Sequence, residues 1–222
     1  MQTFIEKVLN QHKDETYKDF SMRLLPGIDN ILGVRIPILR QIASNMDEKD
    51  LIYLDNSSFE SVMLRGLIIT GMDESNGNRM NLVDSYVHQL DNWSHCDTFC
   101  KYLNGIKIDV LIDYAFQNSE FVQRFALVMF IEHCLVDESI DLVISVVEHM
   151  QPRGYYSQMA LGWLIASAYV DYPTKVEHWL KTSTHHDKII NLSLRKIRES
   201  NRIDKDTKKR LMKFKRLRSS TI

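Results

Sequence analysis

The sequence predicts an all-α protein built from repeated helical pairs, and three observations lead there. Apolar residues recur at helical spacing along most of the chain. Residues that favour helix N-termini precede many of those stretches. Chain breakers are scarce: 222 residues contain only four prolines and eight glycines, against usual fractions of about 5% and about 7%. Strand patterns are few, so helices joined by short turns are expected.

Taken in order, Phe4, Val8 and Leu9 mark a first core stripe. Gly33-Val34-Arg35-Ile36-Pro37-Ile38-Leu39-Arg40 reads as a turn entering a helix. Pro37 suits a first helical turn, where its missing N–H is not needed, and Leu39, Ile42 and Ala43 supply an apolar face. Arg35 and Arg40 lie near that helix start, either as solvated charges or as phosphate contacts. Asp47 before Glu48 and Ser58 before Phe59 are expected N-caps, and Leu82, Tyr86, Val87 and Leu90 form the next stripe. Asp91 is placed to cap a helix carrying Trp93 and Asp97. Asn118 or Ser119 opens a helix with Phe121, Phe125, Val128 and Met129 inward, and Asp137 is expected to cap the one after it. Gly162 stands inside the apolar stretch Ala160-Leu161-Gly162-Trp163-Leu164. Glycine costs about 1 kcal/mol against alanine within a helix, so a close approach is expected there.

The unit is a helical pair of roughly 30 to 40 residues, the period of helical solenoids. A divergent HEAT-like stack fits, because each pair buries its face against its neighbours even when repeats share little identity. A compact irregular bundle fits nearly as well. With 44% hydrophobic residues, one domain spanning 1–222 is the expectation.

The formal net charge of −1 conceals two opposites. Residues 1–187 carry 15 Lys and Arg against 26 Asp and Glu, or −11; residues 188–222 carry 13 against 3, or +10. Basic residues from Lys188 to Arg218, with Lys196 and Arg198 among them, are interleaved with Ile189, Leu192, Leu194 and Ile197 as a basic amphipathic pattern. Such a face attracts nucleic acid, an anionic membrane surface or an acidic partner. No run reaches the roughly 18 apolar residues of a membrane span, and residues 1–10 lack signal-peptide character, so a cytoplasmic protein is expected. Three cysteines, Cys96, Cys100 and Cys134, cannot make a disulfide framework.

Trp93 and Asp97 stand four residues apart and share a helical face. A carboxylate beside an aromatic ring can stabilise a cationic transition state or orient water towards one, although a surface aspartate next to a half-buried tryptophan is the ordinary meaning of such spacing. Arg124 lies in an apolar helix and wants an anion, from the protein or from a ligand. His95, Cys96 and Cys100 lack the second ligand pair of a zinc site, and His185-His186 is too isolated to supply one, so no metal and no cofactor are expected. Phosphate-loop, dinucleotide-binding, HExxH and G-x-S-x-G motifs are absent, which removes the usual support for nucleotide, dehydrogenase, zincin and hydrolase classes.

In order along the chain, Gly33 to Arg40, Asp91-Asn92-Trp93 through Asp97, Arg124-Phe125-Ala126, Ala160-Leu161-Gly162-Trp163 and Lys196-Ile197-Arg198-Glu199-Ser200 form a set that resembles the AlkD-type DNA alkylation repair family. That family comprises DNA glycosylases of HEAT-like repeats, and with Leu24 to Asp29 the chain is similar to a short-form member whose first lesion-facing helices differ or are truncated. The resemblance implies an α-α superhelical solenoid with a concave DNA-binding face, acting as a monomer on double-stranded DNA, alkylated or branched. It implies Asp97 as the catalytic carboxylate, Trp93 and Trp163 as sugar-facing aromatics, and Arg124 as a phosphate contact near the lesion. Arg35, Arg40, Lys196 and Arg198 follow as further DNA-binding residues. Without catalysis, the same features describe a DNA-structure-binding module or a protein-interaction solenoid.

Overall fold

The computed structural model describes residues 2–216, and the basic end expected at 188–218 therefore runs two residues past the described part. Among the described residues there are thirteen α-helices, two 3-10 helices and no strand. None of these helices is long and apolar enough to cross a membrane. The helices pack on one another as repeated helix-turn-helix units, the architecture of a helical repeat protein, and fall into two compact units, Met1–Ile106 and Lys107–Ile222.

The first unit contains α1 (Gln2–Gln11), α2 (Glu15–Leu24), α3 (Ile36–Ala43), a 3-10 helix (Glu48–Tyr53), α4 (Phe59–Gly71), α5 (Arg79–His88) and α6 (Trp93–Tyr102). Helix α4 is its centre and packs against α3, α5, α6 and the 3-10 helix, so it is apolar around most of its circumference. Ser58 caps α4 by accepting from the Ser61 N–H, as its position predicts. Asp47 caps the 3-10 helix in a reciprocal box with Asp50. Pro37 falls within the first two positions of α3, with Leu39 and Ala43 buried. In α1 the inward residues are Ile5 and Leu9; Phe4, expected in the core, is 63% exposed because the stripe is turned by one residue.

A buried carboxylate ties the long α2–α3 connection to α4. Glu60 accepts from the backbone N–H groups of Leu32 at 2.9 Å, Gly33 at 2.8 Å and Val34 at 3.1 Å. Three donors satisfy a charge that would otherwise be costly to bury. Gly33 is required there: its φ of +91° is in the left-handed region, and a Cβ would sit 2.4 Å from the Asp14 carbonyl oxygen.

The second unit contains α7 (Ile108–Ala115), α8 (Glu120–His133), α9 (Ile140–His149), α10 (Tyr155–Asp171), α11 (Pro173–Thr182), α12 (Asp187–Glu199), α13 (Lys205–Arg210) and a 3-10 helix (Leu211–Phe214). Helix α10 packs between α8 and α12, while α7 covers α8 and α11 covers α10. Every residue of α8 from Val122 to Phe130 is buried, including the polar Gln123 and Arg124. Gln123 donates to the Ala115 and Gln151 carbonyls and accepts from the Arg153 N–H, fastening the α9–α10 connection to α7 and α8. Of the two residues expected to open α8, Asn118 or Ser119, Ser119 takes the N-cap position, without a side-chain capping bond. The next helix starts later than expected, with Ser139 rather than Asp137 at its N-cap, because residues 137–139 form a turn before Ile140.

Gly162 has the packing reason that its sequence position predicts. A Cβ there would lie 3.2 Å from Cγ of Leu192 and 3.3 Å from Cγ of Lys196, so the missing side chain lets α12 settle closely on α10. Helix α12 turns Ile189, Ile190, Leu194 and Ile197 inward and leaves its cations outside. Arg216 then brings the chain back along α12: its guanidinium donates to the His185 and Ser183 carbonyls, and its backbone pairs with the Asn191 amide.

Candidate nucleic-acid interface

In the first unit, Trp93 is the first residue of α6 and Asp97 lies one turn further on; both are half-buried. The cap of this helix is Asn92, not Asp91: Asn92 Oδ1 accepts from the His95 N–H at 3.0 Å. Asp91 instead accepts from the Asn92 amide at 2.8 Å. The same Asn92 Nδ2 donates to His95 Nδ1 at 2.7 Å, and His95 Nε2 donates to the Phe59 carbonyl at 2.9 Å. Because the Asn92 oxygen is committed to the cap, its nitrogen must face the imidazole, and His95 is the neutral tautomer with its proton on Nε2. Burial drives the His95 pKa down to about 4, against the smaller upward effects of its bond to Phe59 and of Asp91. With both ring nitrogens occupied, His95 fastens the start of α6 to α4 and is not a metal ligand beside Cys96 and Cys100, which are buried and outside any disulfide.

The Trp93 ring packs on the first unit's core, and its Nε1–H donates to the Leu24 carbonyl at the end of α2, 3.2 Å away. At the other end of α6, the Arg40 guanidinium sits 4.3 Å from the centroid of the Tyr102 ring. Arg35 is anchored within its own unit while its side chain stays 53% exposed: its Nη2 meets Asp14 Oδ2 at 2.7 Å and its guanidinium lies over Tyr17. Asp14 is held below the usual carboxylate range by the Tyr17 N–H that it caps and by Arg35.

In the second unit, three predicted residues come together. Arg124, Trp163 and Lys196 line one cleft of about 490 Å³, together with Met159, Glu199 and Arg202. Arg124 is 7% exposed, and its Nη1 donates to the Tyr156 carbonyl at 3.0 Å, which fixes the guanidinium on α10. Lys196 reaches the cleft because Gly162 allows α12 so close, and it pairs with Glu199 at 2.9 Å. The cleft therefore offers one indole and three cations against one carboxylate, a surface suited to a phosphate beside a flat or apolar group. Arg198 lies outside it, on a neighbouring groove. Glu199 and Arg202 were not anticipated as cleft residues; the i,i+3 spacing of Lys196 and Glu199 was the available signal for the first.

An all-helical architecture of packed helix pairs with an arginine, a tryptophan and a lysine on one cleft defines a helical repeat protein with a basic cleft. Residues 5–200 match the family model described as DNA alkylation repair enzyme, and the chain belongs to that family. No curated protein and no solved structure matched the chain. Membership assigns the protein to DNA repair.

Proposed function

We propose that the protein binds duplex DNA and hydrolyses the N-glycosidic bond of N3- or N7-alkylated purines, acting as a monomer in the cytoplasm without a cofactor. The observation that supports this most is the convergence of Arg124, Trp163 and Lys196 on one cleft in a chain of the alkylation repair family.

Alkylation at N3 or N7 places positive charge on the purine. When the C1′–N bond breaks, the electron pair returns to the base, which leaves neutral, and cationic character develops on the sugar. The protein has then to stabilise that cation and to position water. Asp97 supplies the carboxylate that faces the cation and orients the water that adds at C1′, the water's proton passing to the carboxylate or to solvent. Trp93 and Trp163 offer ring faces to the deoxyribose. Arg124 and Lys196 hold backbone phosphate, while Arg35, Arg40 and Arg198 add contacts further along the duplex.

Incubation with a duplex containing 7-methylguanine tests the reading. Free base is expected above the buffer rate, and Asp97→Asn is expected to abolish release while duplex affinity persists. Absence of release from the unaltered protein overturns catalysis. Binding to branched DNA without release would make it a DNA-structure-binding protein, and no affinity for any duplex would make it a protein-interaction stack.

A further inference from the structure

A second basic groove lies on the second unit, lined by Arg195, Arg198, Lys205, Lys208 and Lys209 with Glu199 as its carboxylate. Three features separate it from the cleft around Trp163. It is lined by no aromatic residue. Its lysines lie on α13, beyond residue 200, where the match to the family ends. Its cations are largely uncommitted: among the described residues, Arg195 forms an ion pair only with Glu199 at 3.7 Å and Lys209 only with Asp206 at 3.7 Å, while Arg198, Lys205 and Lys208 have no ion pair.

We propose that this groove is a phosphate track for unmodified duplex DNA, separate from the excision cleft and indifferent to the lesion. Five cations around one groove repel each other unless a polyanion covers them, and a duplex is a polyanion with one charge per about 1.7 Å of its axis. The chemistry disfavours a lipid surface: among the described residues that follow Tyr155 in the chain, no large hydrophobic side chain is exposed, so neither α12 nor α13 offers one to enter a bilayer. Glu199 links the groove to the cleft, since it lines both and pairs with Lys196 on one side and Arg195 on the other. It competes with phosphate for both cations, which makes it a brake on affinity. The duplex as occupant rests on the DNA-binding part of the proposed function, not on the excision step.

The test is equilibrium binding of the full chain to an unmodified labelled duplex across a salt series. Lys205→Gln/Lys208→Gln/Lys209→Gln is expected to weaken binding at least about tenfold at low salt. The slope of log K against log salt is expected to fall by roughly 2 to 3, about 0.9 for each phosphate no longer neutralised. Glu199→Gln is expected to move affinity the other way, severalfold tighter, and keeps the proposal testable should the triple variant fold poorly. An unchanged slope in a protein that still binds duplex overturns the groove alone. Absence of duplex binding by the unaltered protein overturns the proposed function as well. Competition by polyglutamate of equal charge as effective as duplex, or binding to anionic phosphatidylserine vesicles as tight as to duplex, also overturns the DNA assignment.

Discussion

Gly162 and Lys196 face each other across the α10–α12 contact so closely that a single methyl on the glycine would stand 3.3 Å from the lysine Cγ. The small residue thereby sets how far this cation reaches over the cleft. Gly162→Ala gains about 1 kcal/mol of helix propensity, which offsets the crowding, so its melting temperature is expected near that of the unaltered chain. Gly162→Val adds two further methyl groups and is expected to cost about 1–3 kcal/mol by overpacking. Thermal unfolding of the pair checks this; a Val variant as stable as the parent would mean that the glycine does not set the helix separation.

Glu60 is expected to be among the most sensitive positions in the chain. Removing its carboxylate in Glu60→Ala leaves the N–H groups of Leu32, Gly33 and Val34 without their acceptor. Each orphaned buried donor costs about 1–3 kcal/mol, so a loss of about 3 kcal/mol or more is expected in urea unfolding. Glu60→Gln keeps one acceptor oxygen and is expected to lose less. Equal effects of the two substitutions would show that the bonds to the loop contribute little.

His95 carries a pH dependence with a defined sign. Its folded pKa is depressed to about 4 from 6.5, so the unfolded chain takes up the proton first as pH falls. The stabilisation that His95 gives is complete above pH 6.5, declines through the interval and is gone below about 4, amounting to about 3 kcal/mol. Unfolding free energies measured from pH 7 to pH 4 are expected to fall less steeply in His95→Gln than in the parent. Parallel profiles would remove His95 as the cause.

Arg124 and Arg198 separate two kinds of cation. Arg124 is buried and anchored on the Tyr156 carbonyl, so Arg124→Lys keeps the charge and loses the fork; duplex affinity is expected to drop about tenfold with base release falling in step. Arg198, exposed on the outer groove, is expected in Arg198→Gln to reduce the salt slope by roughly 1 without lesion preference. Fluorescence anisotropy on matched and 7-methylguanine duplexes distinguishes them. Identical behaviour of the two variants would deny the cleft any role beyond charge.

Trp93 is held by a bond from its Nε1 to the Leu24 carbonyl. Trp93→Phe keeps a ring and deletes that bond, and is expected to slow base release severalfold while leaving duplex affinity near the parent value. A loss of affinity matched by no change in release rate would make Trp93 a DNA-anchoring residue instead.

Much of this protein is local, and that part was legible in the chain itself. The helical periods, the caps at Asp47 and Ser58, the turn before Pro37 and the sign reversal of charge after Asp187 all depend on residues near each other in the chain. Local reading failed where two neighbours could serve equally well. Asn92 caps α6 instead of Asp91, Ser139 precedes α9 instead of Asp137, and Ile5 takes the inward position expected of Phe4. Backbone geometry and burial choose between such neighbours, and sequence spacing alone does not.

Tertiary structure decided which polar groups are structural and which face outward. Nothing close to Glu60, His95 or Gln123 in the chain specifies their bonding partners, which lie some 26 to 36 positions away. The segment carrying Trp93 and Asp97 was recognisable from spacing and family resemblance. That Arg124, Trp163 and Lys196 share a cleft follows from α10 lying between α8 and α12, with Gly162 permitting the close approach of α12 to α10. Sequence determines which helices form, because capping and periodicity act over a few residues; which side chains meet is settled only when packing brings distant turns into contact.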